Sequence, residues 1–193
     1  MSNKAFKIGN ELSQRQDGFS ERLERLLEIH LDMLPKYGPY WHKHSMNTMR
    51  VEAASRFIYY QELYKKIIDV PGVICEFGVQ YGSTLSTLTN LRSIYEPFNY
   101  SRRIYGFDTF EGLSQTSVVD GDLASDGDYT VNEGFENTLE EILLLLEAES
   151  PMQHIKKFEL IKGDATKTID EWLELNPHAI ISMCIFDMDI YEP

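Results

Sequence analysis

Val73-Ile74-Cys75-Glu76-Phe77-Gly78-Val79 is the stretch that decides the fold. It is a short, mostly apolar run, which is the pattern of a buried parallel strand. Gln80-Tyr81-Gly82 completes a turn bracketed by two glycines. Residues 83–95 follow with a helical pattern that has Ser83 or Thr84 near its N-cap. A strand, a glycine turn and a helix in this order predict the first half of a βαβ unit.

The same alternation continues on both sides of this unit. Apolar periodicity predicts helices at 18–34, 47–69, 138–149 and 166–175, strands at 103–108, 158–162 and 179–188, and an aromatic, histidine-rich loop at 40–44. Strands that alternate with helices indicate a parallel sheet with right-handed crossovers. We therefore predict an α/β fold, a Rossmann-like, doubly wound and mostly parallel sheet preceded by N-terminal helices. The chain stops at Pro193, so we expect the sheet to be truncated after its fourth strand.

Composition restricts the class of protein. The 193 residues carry a net charge of −13, which repels a phosphate backbone, so we expect no nucleic-acid partner. No apolar run approaches the roughly 20 residues that span a bilayer, and the N-terminus has no signal-peptide core. We therefore expect a cytoplasmic protein with no membrane partner. Cys75 and Cys184 both lie in apolar runs, which predicts two buried free thiols.

Acidic residues mark the predicted strand ends, and ligands of open α/β sheets bind at those ends. Glu76 precedes the spacing Gly78-x-x-x-Gly82, which lacks the glycine that a dinucleotide fingerprint needs at position 80. An ordinary strand-turn-helix remains the alternative. Asp108 ends the second strand, where a carboxylate can accept both hydroxyls of a ribose. A solvated or helix-capping aspartate remains the alternative there.

Four blocks of sequence together resemble a known family. Residues 70–79, 106–113, 160–164 with Thr168, and 186–193 are similar, in order and spacing, to the macrocin O-methyltransferase (tylosin-type) family of class I methyltransferases. The resemblance covers about residues 71–193. It implies an S-adenosylmethionine-binding domain over 71–193 and an N-terminal helical lid or dimerisation segment over 1–70. It also implies a homodimer or a higher homo-oligomer.

The resemblance also implies roles for individual residues. Glu76, Gly78 and Gly82 would face the methionine part of S-adenosylmethionine, Asp108 its ribose, and Asp164 its adenine. Thr109, directly after Asp108, and Asp187 complete the expected cofactor-binding set. Asp187 and Asp189 match an aspartate pair that binds a divalent metal such as Mg²⁺, and Asp189 would be the catalytic base.

Residues i and i+2 face the same side of a strand, so the carboxylates of Asp187 and Asp189 could converge on one ion. A solvent-exposed acidic strand end remains the alternative. The family supplies further metal-site acids from the next strand end, which lies beyond Pro193.

The predicted function is an S-adenosylmethionine-dependent O-methyltransferase that acts on a hydroxyl of a sugar or of a glycosylated small molecule. Two alternatives stay open. One is a non-catalytic cofactor-binding fragment, and the other is a nicotinamide-dependent oxidoreductase.

Overall fold

A computed structural model describes residues 18–113 and 126–188 of the chain. The chain divides into two compact units, Met1–Arg56 and Phe57–Pro193. The boundary lies inside one helix, Val51–Ile67. The assignment of residues 1–70 to a lid or dimer contact stays a prediction.

The first unit is made of short helical pieces. Its elements are α1 (Phe19–Met33), a 3₁₀ helix (Leu34–Tyr40), α2 (Trp41–His44), a 3₁₀ helix (Ser45–Thr48) and the start of α3 (Val51–Ile67). Pro35 lacks the amide hydrogen that would continue the α-helix, so the α-helical conformation stops after Met33. Gly38, which has φ 56°, kinks the 3₁₀ stretch that follows. The loop predicted at 40–44 is wrong. This stretch forms a helical turn, and the Ser45 hydroxyl donates to the Trp41 carbonyl at 2.6 Å.

The second unit is a parallel sheet with helices packed on it. Its elements, after the end of α3, are β1 (Val73–Phe77), α4 (Ser83–Tyr95), β2 (Ile104–Asp108), α5 (Phe135–Glu147), β3 (Phe158–Lys162), α6 (Ala165–Leu175) and β4 (Ile181–Phe186). The strand order is β3-β2-β1-β4, and every neighbouring pair is parallel. The predicted α/β, Rossmann-like fold is confirmed.

Alternate residues of the strands build two separate cores, because side chains of a strand point to opposite faces. On one face Ile74 and Ile104 pack among buried leucines of α4 and α5, such as Leu85 and Leu139. On the other face Trp172 of α6 packs with four buried side chains of β1 and β2: Cys75, Phe77, Tyr105 and Phe107. The ring of Phe77 stacks between those of Phe107 and Phe186, with centroids 4.7 and 4.9 Å away.

The two cysteines differ in exposure although they are register partners on β1 and β4. Cys75 is buried as predicted, and burial raises the pKa of its thiol to about 12. The prediction for Cys184 is wrong, because this residue is exposed. Helix α6 packs against β2, whereas Cys184 lies on β4, one of the two edge strands of the described sheet. An apolar run therefore does not guarantee burial on both faces.

Within the described ranges, none of the helices combines the length and the apolar character needed to cross a bilayer.

Candidate functional site

The carboxyl ends of the four strands meet at one edge of the sheet. Hydrogen bonds continue the strand pairing past the strand ends, from the Asp187 amide to the Phe77 carbonyl at 2.9 Å and from the Gly163 amide to the Asp108 carbonyl at 2.9 Å. The Gly78 amide likewise donates to the Phe107 carbonyl at 3.0 Å. This edge therefore brings together four predicted site positions: Gly78, Asp108, Asp164 and Asp187.

Asp108 binds backbone amides through both of its carboxylate oxygens. One carboxylate oxygen, Oδ2, accepts from the amides of Val79 at 2.5 Å and Gln80 at 2.7 Å. The other, Oδ1, accepts from the Phe110 amide at 2.6 Å. Gln80 and Phe110 have φ of 50° and 58°, a backbone region that residues other than glycine rarely adopt. The carboxylate thus holds two strained turns in place, a role that sequence reasoning missed.

The two glycines of the turn after β1 are required by packing inside the protein. A Cβ at Gly78, which has φ 88°, would lie 2.3 Å from the Asp187 carbonyl oxygen. A Cβ at Gly82, which has φ 70°, would lie 2.3 Å from Leu139 Cδ1 of α5. Protein atoms fill the space beside both glycines, so their predicted contact with the cofactor stays a prediction.

Glu76 and the start of α4 lie on either side of the same turn. Glu76 is only 1% exposed and interacts with other groups of the protein. The N-cap of α4 is Gly82, which has no side chain to cap the helix. The first amides of a helix attract anions because they lack partners in the preceding turn. The turn therefore joins an anion-attracting helix start to a buried carboxylate.

Asp164 is a helix cap. It is the N-cap residue of α6, and its Oδ1 accepts from the Thr166 amide at 3.0 Å and the Thr166 hydroxyl at 2.6 Å. Hydrogen bonds from Lys167 and Thr166 lower the pKa of this carboxyl to about 2. Capping explains the residue on its own, and the predicted contact with an adenine stays a prediction.

Thr109 belongs to the turn after Asp108. Its hydroxyl accepts from the Glu111 amide at 3.2 Å and donates to the Gly112 carbonyl at 3.3 Å. The polar atom of Thr109 is thus engaged within the turn, and its contact with a cofactor stays a prediction.

The predicted metal pair is described only in part. Asp187 is exposed at the end of β4, whereas Asp189 lies outside the described residues. Among residues 18–113 and 126–188, no group of three or more His, Cys, Asp or Glu side chains could hold a metal ion. The expectation of Mg²⁺ therefore has no support from this part of the chain.

A second connection near the site was also missed. The Leu113 amide donates to the Asp128 carbonyl at 2.9 Å, and the Gly127 amide donates to the Leu113 carbonyl at 2.8 Å. Gly112 permits the close approach, because a Cβ there would lie 2.5 Å from the same Asp128 oxygen. Gly112 and Gly127 were the signal available in the sequence. Each glycine predicts a turn, but neither predicts that the two turns are hydrogen-bonded to each other.

The residues at this edge fit the groups of S-adenosylmethionine. Its α-carboxylate suits the uncapped start of α4, and its ammonium suits a carboxylate such as Glu76. Asp108 is half-buried at the end of β2, and its Oδ1, which accepts one amide, can accept one ribose hydroxyl in addition.

Comparison with solved structures gives matches that include two structures of CalS11. A crystal structure described as a calicheamicin methyltransferase matches with TM-score 0.86 and 32% identity, over 95% of this chain and 72% of that chain. An apo structure, described as a TDP-rhamnose 3'-O-methyltransferase in calicheamicin biosynthesis, matches with TM-score 0.78 and 30% identity, over 100% and 73%. No protein-family profile and no curated protein matches the chain.

These matches combine sequence identity with the same fold over nearly the whole chain. They support the methyltransferase part of the resemblance, while the narrower macrocin assignment stays a prediction. The chain belongs to the methyltransferase family that includes CalS11.

Proposed function

We propose that this protein is an S-adenosylmethionine-dependent O-methyltransferase whose acceptor is a hydroxyl group of a nucleotide-linked or glycosidic sugar. The observation that carries the proposal is the 32% identity to CalS11 over 95% of the chain. A neighbour described as a TDP-rhamnose 3'-O-methyltransferase supports a sugar acceptor. We also propose that the protein works in the cytoplasm, as a homodimer or a higher homo-oligomer.

The proposed roles follow the geometry of the sheet edge. When bound, S-adenosylmethionine supplies an electrophilic methyl group with a thioether as leaving group. The start of α4 and Glu76 would hold its amino acid part, and Asp108 its ribose. Because Asp108 also fixes the turns at Gln80 and Phe110, the site is shaped before the ligand arrives, which lowers the ordering cost of binding.

The acceptor hydroxyl must lose its proton as the new bond forms, so the site needs a base. Asp189 is our candidate, on the grounds of the sequence resemblance. In the sequence it follows Asp187 by two positions. The proton would pass from the sugar oxygen to the Asp189 carboxylate.

Calorimetric titration with S-adenosylhomocysteine and, in parallel, with NAD tests the cofactor. We expect the wild type to bind S-adenosylhomocysteine and not NAD. Asp108→Ala should weaken binding at least about 10-fold, because a charged hydrogen-bond acceptor is lost. Asp69→Ala, which removes an exposed acid elsewhere, is the control and should leave binding unchanged. A folded wild type that binds only NAD would point to the oxidoreductase alternative.

Methyl transfer to nucleotide-linked and glycosidic rhamnose, followed by mass spectrometry with and without Mg²⁺, tests the reaction. Asp189→Asn should abolish transfer while the affinity for S-adenosylhomocysteine stays almost unchanged. Retained turnover in this variant would show that Asp189 is not the base. Cofactor binding with no transfer to any sugar would favour the non-catalytic alternative.

A further inference from the structure

A tight turn after β1 carries an aromatic side chain at the carboxyl edge of the sheet. The Gly82 amide donates to the Val79 carbonyl at 2.8 Å, which closes a four-residue turn with Gln80 and Tyr81 at its corners. Gln80 has φ 50° and Tyr81 has a negative φ, which is the φ pattern of a type II′ turn. Glycine is the usual residue at the first corner of such a turn, so the backbone is strained directly before Tyr81.

Contacts with two other elements keep this turn and its ring in place. The Asp108 carboxylate, at the end of β2, accepts from the Gln80 amide at 2.7 Å. The Tyr81 ring meets the Phe135 ring of α5 edge to face, with centroids 5.0 Å apart and 78° between the planes. Phe135 is itself packed against the hydrophobic core. The position of the Tyr81 ring is therefore fixed without a ligand.

The Tyr81 ring is fixed although it is not buried. It is 49% exposed. An aromatic ring stabilises a fold mainly through the area that it buries, so much of this ring contributes little to folding. Backbone strain beside an exposed side chain is typical of functional sites. All of these residues belong to the second unit, so the arrangement does not depend on the first.

The turn lies between the groups proposed to hold two parts of S-adenosylmethionine. Glu76 and the start of α4, proposed for the amino acid part, precede and follow the turn in the chain. Asp108, proposed for the ribose, is bonded to the turn itself. The sulfur of S-adenosylmethionine joins its amino acid part to its ribose. A cofactor that is held in both places has its sulfur beside this turn.

We propose that the Tyr81 ring binds the positively charged sulfonium group of S-adenosylmethionine. The face of an aromatic ring is negative and attracts a cation. The product, S-adenosylhomocysteine, has a neutral thioether at the same place, and the ring does not attract it in this way. Tyr81 therefore favours the cofactor that carries a methyl group over the product that has lost it.

This inference rests on the proposed function, because it adds a residue to the proposed cofactor site. It goes further in one respect. It says which of two ligands that differ by one methyl group and one charge is preferred through Tyr81, and for what physical reason.

Calorimetric titration of the full chain with S-adenosylmethionine, S-adenosylhomocysteine and sinefungin tests the proposal. Sinefungin carries a charged amine in place of the methylated sulfonium, so it separates the charge from the methyl group. Tyr81→Leu keeps an apolar side chain beside Phe135 and removes the aromatic face. We expect it to weaken both cationic ligands about 5-fold and to leave S-adenosylhomocysteine within about 2-fold of the wild type. Tyr81→Phe keeps a ring and should bind all three ligands almost as the wild type does.

Matched variants separate the ring from its packing. Tyr100→Leu removes an exposed ring in the loop before β2, at the opposite end of that strand from Asp108, and should change none of the three affinities. Tyr81→Met is a second variant without a ring and should behave as Tyr81→Leu does. Thermal unfolding of every variant shows whether it is folded, and we expect that it is because Tyr81 is half exposed.

Each outcome bears on one claim. Equal weakening of S-adenosylmethionine and S-adenosylhomocysteine in Tyr81→Leu would make the ring a contact of shape alone, which overturns the inference and leaves the cofactor site standing. Weakening of S-adenosylmethionine with unchanged sinefungin would assign the effect to the methyl group and not to the charge, which also overturns it. Unchanged affinities for all three ligands overturn it as well, and a raised KM for the sugar would then assign the ring to the acceptor. A folded wild type that binds none of the three ligands counts against the proposed function instead.

Discussion

The two ends of the sheet both carry buried or half-buried charges, but these charges have different partners. At the amino end, Arg102 is 2% exposed and donates to the Glu96 carboxylate and to the carbonyls of Ile67, Val70 and Gly72. At the carboxyl end, Asp108 accepts from backbone amides of two strained turns. Side-chain ions neutralise each other at one end, whereas at the other an acid shapes the backbone.

A second cluster at the amino end follows the same rule. Arg92, Glu147 and Lys157 are each at most 2% exposed, and Glu147 pairs with both cations, with its Oε2 2.6 Å from Lys157 Nζ. The Arg92 guanidinium also donates to the Lys157 carbonyl at 2.8 Å. This comparison teaches that removing a charge at the amino end should mainly cost stability, whereas removing one at the carboxyl end should mainly cost ligand binding.

Arg102→Ala tests this comparison with the largest expected effect. It removes the cation that pairs with the Glu96 carboxylate and takes this donor from several buried carbonyls, and we expect a loss of about 3–5 kcal/mol in the free energy of unfolding. Urea denaturation measures it. Arg103→Ala is the control, because that guanidinium lies over the Tyr105 ring and should cost no more than about 1 kcal/mol. Equal losses in the free energy of unfolding for the two variants would show that the buried contacts of Arg102 do not stabilise the fold more than an ordinary arginine does.

Glu147→Gln should have the next largest effect. It leaves Arg92 and Lys157 buried together without their shared anion, so we expect a loss of roughly 2–4 kcal/mol. Thermal and urea unfolding measure the loss. Glu149→Gln, an exposed neighbour on the same segment, should stay within about 0.5 kcal/mol of the wild type. A Glu147 variant as stable as this control would contradict the assignment.

Asp108→Asn, at the carboxyl end, should reduce ligand binding more than stability. An amide has one acceptor oxygen, so it cannot accept on both sides as the carboxylate does, and we expect a loss of about 1–3 kcal/mol in stability. The variant should stay folded at this loss of stability, so a fall in its affinity for S-adenosylhomocysteine would come from the site and not from unfolding. We expect such a fall. Calorimetry on the folded protein measures it. A variant that binds normally would show that Asp108 only shapes the turns.

A pH effect at the amino end should be the smallest. Burial raises the pKa of Glu96, but hydrogen bonds from Arg102, Tyr64 and Asn99 outweigh it and leave that pKa below its ordinary 4.5. A carboxyl with a lowered pKa stabilises the fold above its ordinary pKa, and this contribution is lost as the pH falls through the folded-state value. Stability should therefore drop below about pH 4.5 less steeply in Glu96→Gln than in the wild type. Urea unfolding at several pH values measures both slopes, and equal slopes would contradict the effect.

Periodicity was enough to place most elements of the second unit. The predicted bounds of α4, Ser83–Tyr95, and of β3, Phe158–Lys162, are those of the structure. Helix α4 has a buried face and β3 begins at the buried Phe158, so their hydrophobic pattern matches their environment. The helical turn at 41–44 could not be predicted this way, because no residue there is buried. The exposure of Cys184 depends on which helix covers which strand, and no local pattern encodes that.

The site was predictable in place but not in detail. Acidic strand ends located Asp108 and Asp164 at the correct edge, because parallel strands must end together. The bonds from Val79 and Gln80 to Asp108 join residues 29 and 28 positions apart, and those of Arg102 reach Ser182, 80 positions away. Such contacts form only when the tertiary structure brings distant residues together. A local sequence pattern therefore cannot predict them.

The two tryptophans give the protein a built-in optical readout. Trp172 is 4% exposed, against one face of the sheet, and Trp41 is 55% exposed in the first unit. Buried and exposed indoles emit at different wavelengths, and only the exposed one is reached by iodide. Unfolding of the sheet should therefore appear as a red shift of the Trp172 emission. Iodide should quench the Trp41 emission alone, so one cuvette can follow both units without a label.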